Sequence, residues 1–117
     1  MNGNVIKEKS FRFAVRIVML CKYLKTEKRE YILIKQLMRS GTSIGANVRE
    51  SQNAESKADF IHKLAIAQKE ADETLFWLEL LKETDYITAE EFRSLESDAS
   101  ELLKLIRSII LTTKKNK

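Results

Sequence analysis

The sequence has no proline, three glycines, one cysteine and one histidine among its 117 residues. Without proline nothing breaks a helix from within, and a chain rich in Leu, Ile, Ala, Lys and Glu reads as all-α. The lone Cys21 has no partner for an internal disulfide and sits among apolar helix residues, which points to a buried thiol in a reducing cytoplasm. No apolar run approaches the ~20 residues of a membrane span. The longest candidate, from Ile17 to Cys21, is stopped by Arg16 and Lys22. The first nine residues lack the apolar core of a secretion signal. What is present, 44% apolar and 32% charged residues, suits one folded domain over residues 1–117 with a single core and no membrane.

Scarcity also argues against enzyme chemistry. His62 has no second histidine or cysteine beside it, whereas a structural zinc site takes four such ligands. A di-iron bundle needs Glu-x-x-His on its helices, which a lone histidine cannot provide. Helical RNases with an arginine followed five to seven positions later by histidine are disfavoured, because positions 55–57 are Glu, Ser and Lys. The stretch Ser40-Gly-Thr-Ser-Ile-Gly45 lacks the Gly-Lys-Ser/Thr ending that cradles phosphate. Asp72-Glu73 and Glu90-Glu91 are adjacent carboxylates that diverge on a helix. The expectation is a protein without catalytic residues, metal or cofactor.

Four helices follow from periodicity and capping. Helix one is expected from about Val5 to Leu24, with Phe11, Val15, Val18 and Leu20–Cys21 inward and Ala14 and Ile17 beside them. Helix two runs from near Lys28 to about Ser51, with Leu33, Leu37, Ile44 and Val48 on one face. Ser56-Lys-Ala-Asp59 resembles a capping box and opens helix three, whose stripe runs Phe60, Leu64, Ala67, Ala71, Leu75, Leu78 and Leu81. Thr88-Ala-Glu-Glu91 opens helix four, with Ile87 and Phe92 at the spacing of a hydrophobic staple. Its stripe is Phe92, Leu95, Ala99, Leu102 or Leu103, Ile106 and Ile109. Order is expected over about 5–111, with a fraying basic tail at 112–117. Short links make the helices antiparallel neighbours in an up-down-up-down four-helix bundle. Phe76 and Trp77 widen the apolar arc of helix three, which fits either self-association or a covered bundle edge.

Charge is segregated along the chain. Residues 1–50 carry 11 basic and 4 acidic side chains, residues 51–103 carry 5 and 13, and residues 104–117 carry 5 and none. A basic surface from Lys7, Lys9, Arg12, Arg16, Lys22, Lys25, Lys28, Arg29 and Lys35 would gather phosphates in a salt-sensitive way. Alternatively, oppositely charged faces attract neighbouring copies or a partner protein, or the charges are simply solvated. The aromatic pattern defines no stacking platform, because Phe11 is assigned to the core.

The most informative stretch is Gln36-Leu-Met-Arg-Ser-Gly-Thr-Ser-Ile-Gly-Ala-Asn-Val-Arg-Glu-Ser51. It keeps a helical apolar stripe yet carries many poor helix formers. Small side chains admit a neighbouring backbone, and Gly41 and Gly45 in G-x-x-x-G spacing mean close helix contact. With Asp59-Phe60 and Leu64-Ala-Ile-Ala67, this stretch resembles the four-helix-bundle proteins named for intervening sequences in bacterial 23S ribosomal RNA genes. The resemblance covers about residues 7–110. It departs at Val48, where the family has isoleucine, and at Ser51, where it has a glycine that would favour the turn leaving helix two.

The resemblance carries over Gln36, Arg39, Ser40, Ser43, Asn47, Glu50, Asp59 and Phe60 as motif positions. It implies a homopentamer, and similarity to the reverse-transcriptase accessory bundle of diversity-generating retroelements, hence association with RNA or DNA. Lys7, Lys9, Arg12, Arg16, Lys35, Arg39 and Arg49 are the candidate nucleic-acid contacts, and a protein-interaction scaffold is the alternative.

Overall fold

In a computed structural model that describes residues 2–116, the chain forms four α-helices: α1 (Asn2–Glu27), α2 (Leu33–Ser51), α3 (Lys57–Glu83) and α4 (Ala89–Lys115). Each packs on the helix before it, and α1 meets α4 to close the circuit. Helices α1 and α3 therefore stand at opposite corners of the expected bundle, which is 50 Å long and about 20 Å across. None of the described helices is long and apolar enough to cross a membrane.

The capping signals work as the sequence suggests. The Thr88 hydroxyl accepts from the Glu91 N–H (3.0 Å), and the Glu91 carboxylate accepts from the Thr88 N–H (2.7 Å). Ile87 and Phe92 are both buried behind this box. At α3 only half of a box forms. Ser56 accepts from the Asp59 N–H, but the Asp59 carboxylate reaches the Glu55 N–H instead of that of Ser56. Helix α3 ends in a turn with Asp85 left-handed (φ 66°). The Tyr86 and Asp85 N–H groups bond back to the Leu81 and Lys82 carbonyls, satisfying acceptors that a helix end orphans.

Helix α1 corrects the expected phase. Its buried face is Ile6, Phe13, Ile17, Cys21 and Leu24, while Phe11 and Val15 are exposed and Val18, Leu20 and Ala14 only half-buried. Two apolar stripes of similar helical spacing compete on this helix. The one that won fills the core through Phe13, 2% exposed against 55% for Phe11. The boundary with α2 also moves. Helix α1 continues to Glu27, and residues 28–32 form the link. Arg29 takes a left-handed conformation (φ 54°) that lets the Glu30 N–H return to the Leu24 carbonyl. The buried Glu30 carboxylate accepts from the Ile34 N–H (3.0 Å), so it supplies the cap that Ile32 lacks. Helix α4 stays helical to Lys115, beyond the expected limit near 111. Along it Ile110 is buried, whereas Ile109 is half-exposed.

Gly41 and Gly45 lie against α1. A Cβ on Gly41 would lie 2.8 Å from the Ile17 side chain, and one on Gly45 would lie 3.2 Å from the Ser10 carbonyl oxygen. Burial raises the Cys21 thiol to a pKa of about 11, and its Sγ lies 3.7 Å from the Ile34 carbonyl oxygen. Ser51 needs no special turn geometry. It is the last residue of α2, and its hydroxyl donates to the Val48 carbonyl at 2.6 Å. Among the described residues, positive φ is confined to Arg29 and Asp85.

Candidate nucleic-acid interface

Part of the polar motif of α2 faces α3. Arg39 donates to Glu70 at 3.1 Å and to Glu73, and the Trp77 indole N–H also donates to Glu73 at 2.9 Å. Ser40 is fully buried with its hydroxyl 3.0 Å from that of Thr74. Ser43 donates to the Arg39 carbonyl and Asn47 to the Ser43 carbonyl, each satisfying a group one turn back. Glu50 pairs with Lys63 at 3.1 Å. Asp59 serves the start of α3, and Phe60 packs half-buried against the core. Gln36 is exposed. Arg39, Ser40 and Glu50 thus join α2 to α3, with Arg39 meeting the carboxylates of α3 and not Glu50.

The indole of Trp77 and the guanidinium of Arg39 hold the Glu73 carboxyl below its usual range. A carboxyl depressed in the folded state adds stability above its unfolded pKa, near 4.3, and loses it as pH falls through the folded value. Thermal melts of wild type and Glu73→Gln should therefore differ by a few degrees near neutral pH and converge as pH falls through the folded value, with partial exposure keeping the gap small. A gap independent of pH would mean that packing, not charge, sets the role of Glu73.

The expected phosphate contacts divide into two groups. Lys9 pairs with Glu101 (3.3 Å), Arg16 with Asp98 (2.7 Å), Arg12 with Glu8 (3.2 Å) and Arg39 with α3. The first two fasten α1 to α4. Arg49 stacks over the exposed Phe11 ring at 5.8 Å, and with Lys7 it lines a shallow groove between α1 and α2.

A denser cation group lies at the α1–α2 turn. Lys22, Lys25, Arg29 and Tyr31 line one open groove. Lys22, Lys25 and Tyr31 also line a second, with Lys35, Ile34 and Met38. Tyr31 is 51% exposed between these cations. The sequence marks these lysines and Arg29 as basic surface, but of them only Lys35 is among the candidate nucleic-acid contacts, and nothing in the pattern singles out Tyr31. The signal was there in Lys22, Lys25, Lys28 and Arg29, a run spaced by three, three and one. Only the shortened α2 brings Tyr31 out of a helix and in among them.

A family model described as 23S rRNA-intervening sequence protein matches residues 3–108. The chain belongs to this family. The crystal structure of a protein of unknown function from the S23 ribosomal protein family of Bacteroides thetaiotaomicron is similar to this intervening-sequence protein. It is 57% identical with a TM-score of 0.93, over 94% of this chain and 98% of that one. No curated protein matches significantly. Val48 and Ser51 are both buried, and the Ser51 hydroxyl donates to the Val48 carbonyl.

Proposed function

We propose that this intervening-sequence protein is a non-enzymatic, homo-oligomeric bundle that binds nucleic acid through the cations of the α1–α2 turn. The reading is supported by one observation above the others. Lys22, Lys25, Arg29 and Lys35 gather around an exposed tyrosine, whereas Lys9, Arg16 and Arg39 are already neutralised by carboxylates. Cations without internal partners release counterions when phosphate displaces them, and Tyr31 offers a face on which a base can stack. Kinship with reverse-transcriptase accessory bundles and a pentameric assembly belong to the same proposal.

Anisotropy titrations with structured RNA, single-stranded DNA and duplex DNA at two salt concentrations test it. Lys25→Glu with Arg29→Glu should weaken binding at least ~10-fold and reduce the salt slope by about 2. Lys9→Glu with Arg16→Glu should change it far less. No binding at low salt, or equal losses in the two pairs, would overturn the assignment. In that case the segregated charges would serve contacts between proteins.

A further inference from the structure

The outer face of α1 carries an apolar stripe that the fold leaves unused. Phe11, Val15, Met19 and Tyr23 recur every fourth residue and are 44–58% exposed. Isolated exposed apolar residues are ordinary, but a run over four turns of one helix is a contact surface. Arg12 and Lys22, both exposed, flank Val15 and Met19. Ten residues separate these cations, about 15 Å along a helix. Opposite in charge is the outer face of α3. There Phe76 is 56% exposed and packs edge-on against Trp77, with ring centroids 5.0 Å apart. Asp72 lies one turn before it, and Glu79 and Glu83 follow one and two turns after, all exposed. Asp72 and Glu83 are eleven residues apart, about 16 Å.

We propose that the outer face of α1 docks on the outer face of α3 of a second copy of this chain, seating Phe76 between Val15 and Met19. With the apolar centres superposed, the matching spacings bring Arg12 and Lys22 opposite carboxylates at both ends. Pairing α1 with α1 would instead oppose cation to cation, which disfavours it. The Arg12–Glu8 bridge on the helix surface is exposed and weak, so Arg12 can exchange partners. Trp77, fixed by its hydrogen bond to Glu73, holds Phe76 in place, which lowers the ordering cost of docking. Because α1 and α3 are opposite corners, the contact is head-to-tail. It builds a ring if the rotation closes and an open chain if it does not. Lys22 borders both this face and the cation cluster; docking pairs it across the contact and leaves Lys25, Arg29 and Lys35 to the cluster, and the variants below leave it intact.

The proposal rests on the homo-oligomeric part of the function proposed above, and the test separates the two. Light scattering after gel filtration is applied to wild type, Met19→Glu and Phe76→Glu, with circular dichroism confirming the helices. Wild type should be oligomeric and each variant monomeric. An equimolar mixture of the two variants should form a dimer and stop there, since each contributes the face that the other has lost. Should Met19→Glu lose helix content, Val15→Glu takes its place. A monomeric wild type overturns both readings. An oligomeric wild type with Phe76→Glu of unchanged mass, or a mixture that stays monomeric, overturns the docking of α1 on α3 alone.

Discussion

Phe13→Ala should destabilise the protein by about 3–5 kcal/mol and lower the melting temperature by roughly 10–20 °C, whereas Phe11→Ala should cost less than about 1 kcal/mol. The two phenylalanines are two residues apart, and composition gives no reason to rank them. Phe13 is 2% exposed in the single core formed by all four helices, so truncation leaves a cavity that rigid neighbours cannot fill. Phe11 meets mainly solvent and the guanidinium of Arg49, a contact of modest worth at an exposed site. Denaturant melts of both variants in dilute solution decide the phase of α1. Equal losses would mean that the helix is rotated from the orientation described.

Gly41 and Ile17 should show strong non-additivity. Ile17→Ala alone should cost about 2–5 kcal/mol, since Ile17 is fully buried. Alone, Gly41→Ala sets two opposing effects against each other. It gains ~1 kcal/mol of helix propensity, while its Cβ overpacks against a stiff β-branched side chain at a cost of about 1–3 kcal/mol. At 2.8 Å the overlap is too large for small adjustments, so overpacking should prevail. In the Ile17→Ala background the two contacts at 2.8 Å are removed and only the Cβ at 3.2 Å remains, so Gly41→Ala should cost far less than in wild type. The coupling energy from a double-mutant cycle should lie in the range of about 1–3 kcal/mol. A value near zero would show that α1 and α2 do not approach through Gly41.

These expectations indicate what was legible in the residues alone. The α2 stripe was readable because Leu37, Ile44 and Val48 have no apolar rival on the opposite face of their helix. The starts of α3 and α4 were readable because a cap is a local arrangement, set by Ser56, Thr88 and the acid three residues on. The phase of α1 was not. Phe11, Val15 and Met19 make as regular a stripe as Phe13, Ile17 and Cys21, and only the neighbouring helices decide which one is buried. The α1–α2 turn was hidden for another reason. No glycine or proline marks it, and it depends on Arg29 accepting a left-handed conformation and on a glutamate capping from within the link. For the candidate interface, the sign of the charge is legible in the residues. They could not show that Lys9, Arg16 and Arg39 were occupied while the cations near Tyr31 gathered in one place.

The order in which the helices meet bears on how the chain reaches this shape. Three of the four interhelical contacts join consecutive helices, so most native interactions span short stretches of sequence, the regime of rapid folding. The pairing of α1 with α4 is different, because it closes the whole chain into a loop. It is also reinforced by exposed bridges, Lys9–Glu101 and Arg16–Asp98, which salt weakens. The physics therefore favours a folding order in which α2 and α3 join through their buried hydroxyls and small residues, and the α1–α4 seam closes last. The same seam is then the first to part in native-state fluctuations, and amide exchange along α1 and α4 should outpace that of α2 and α3.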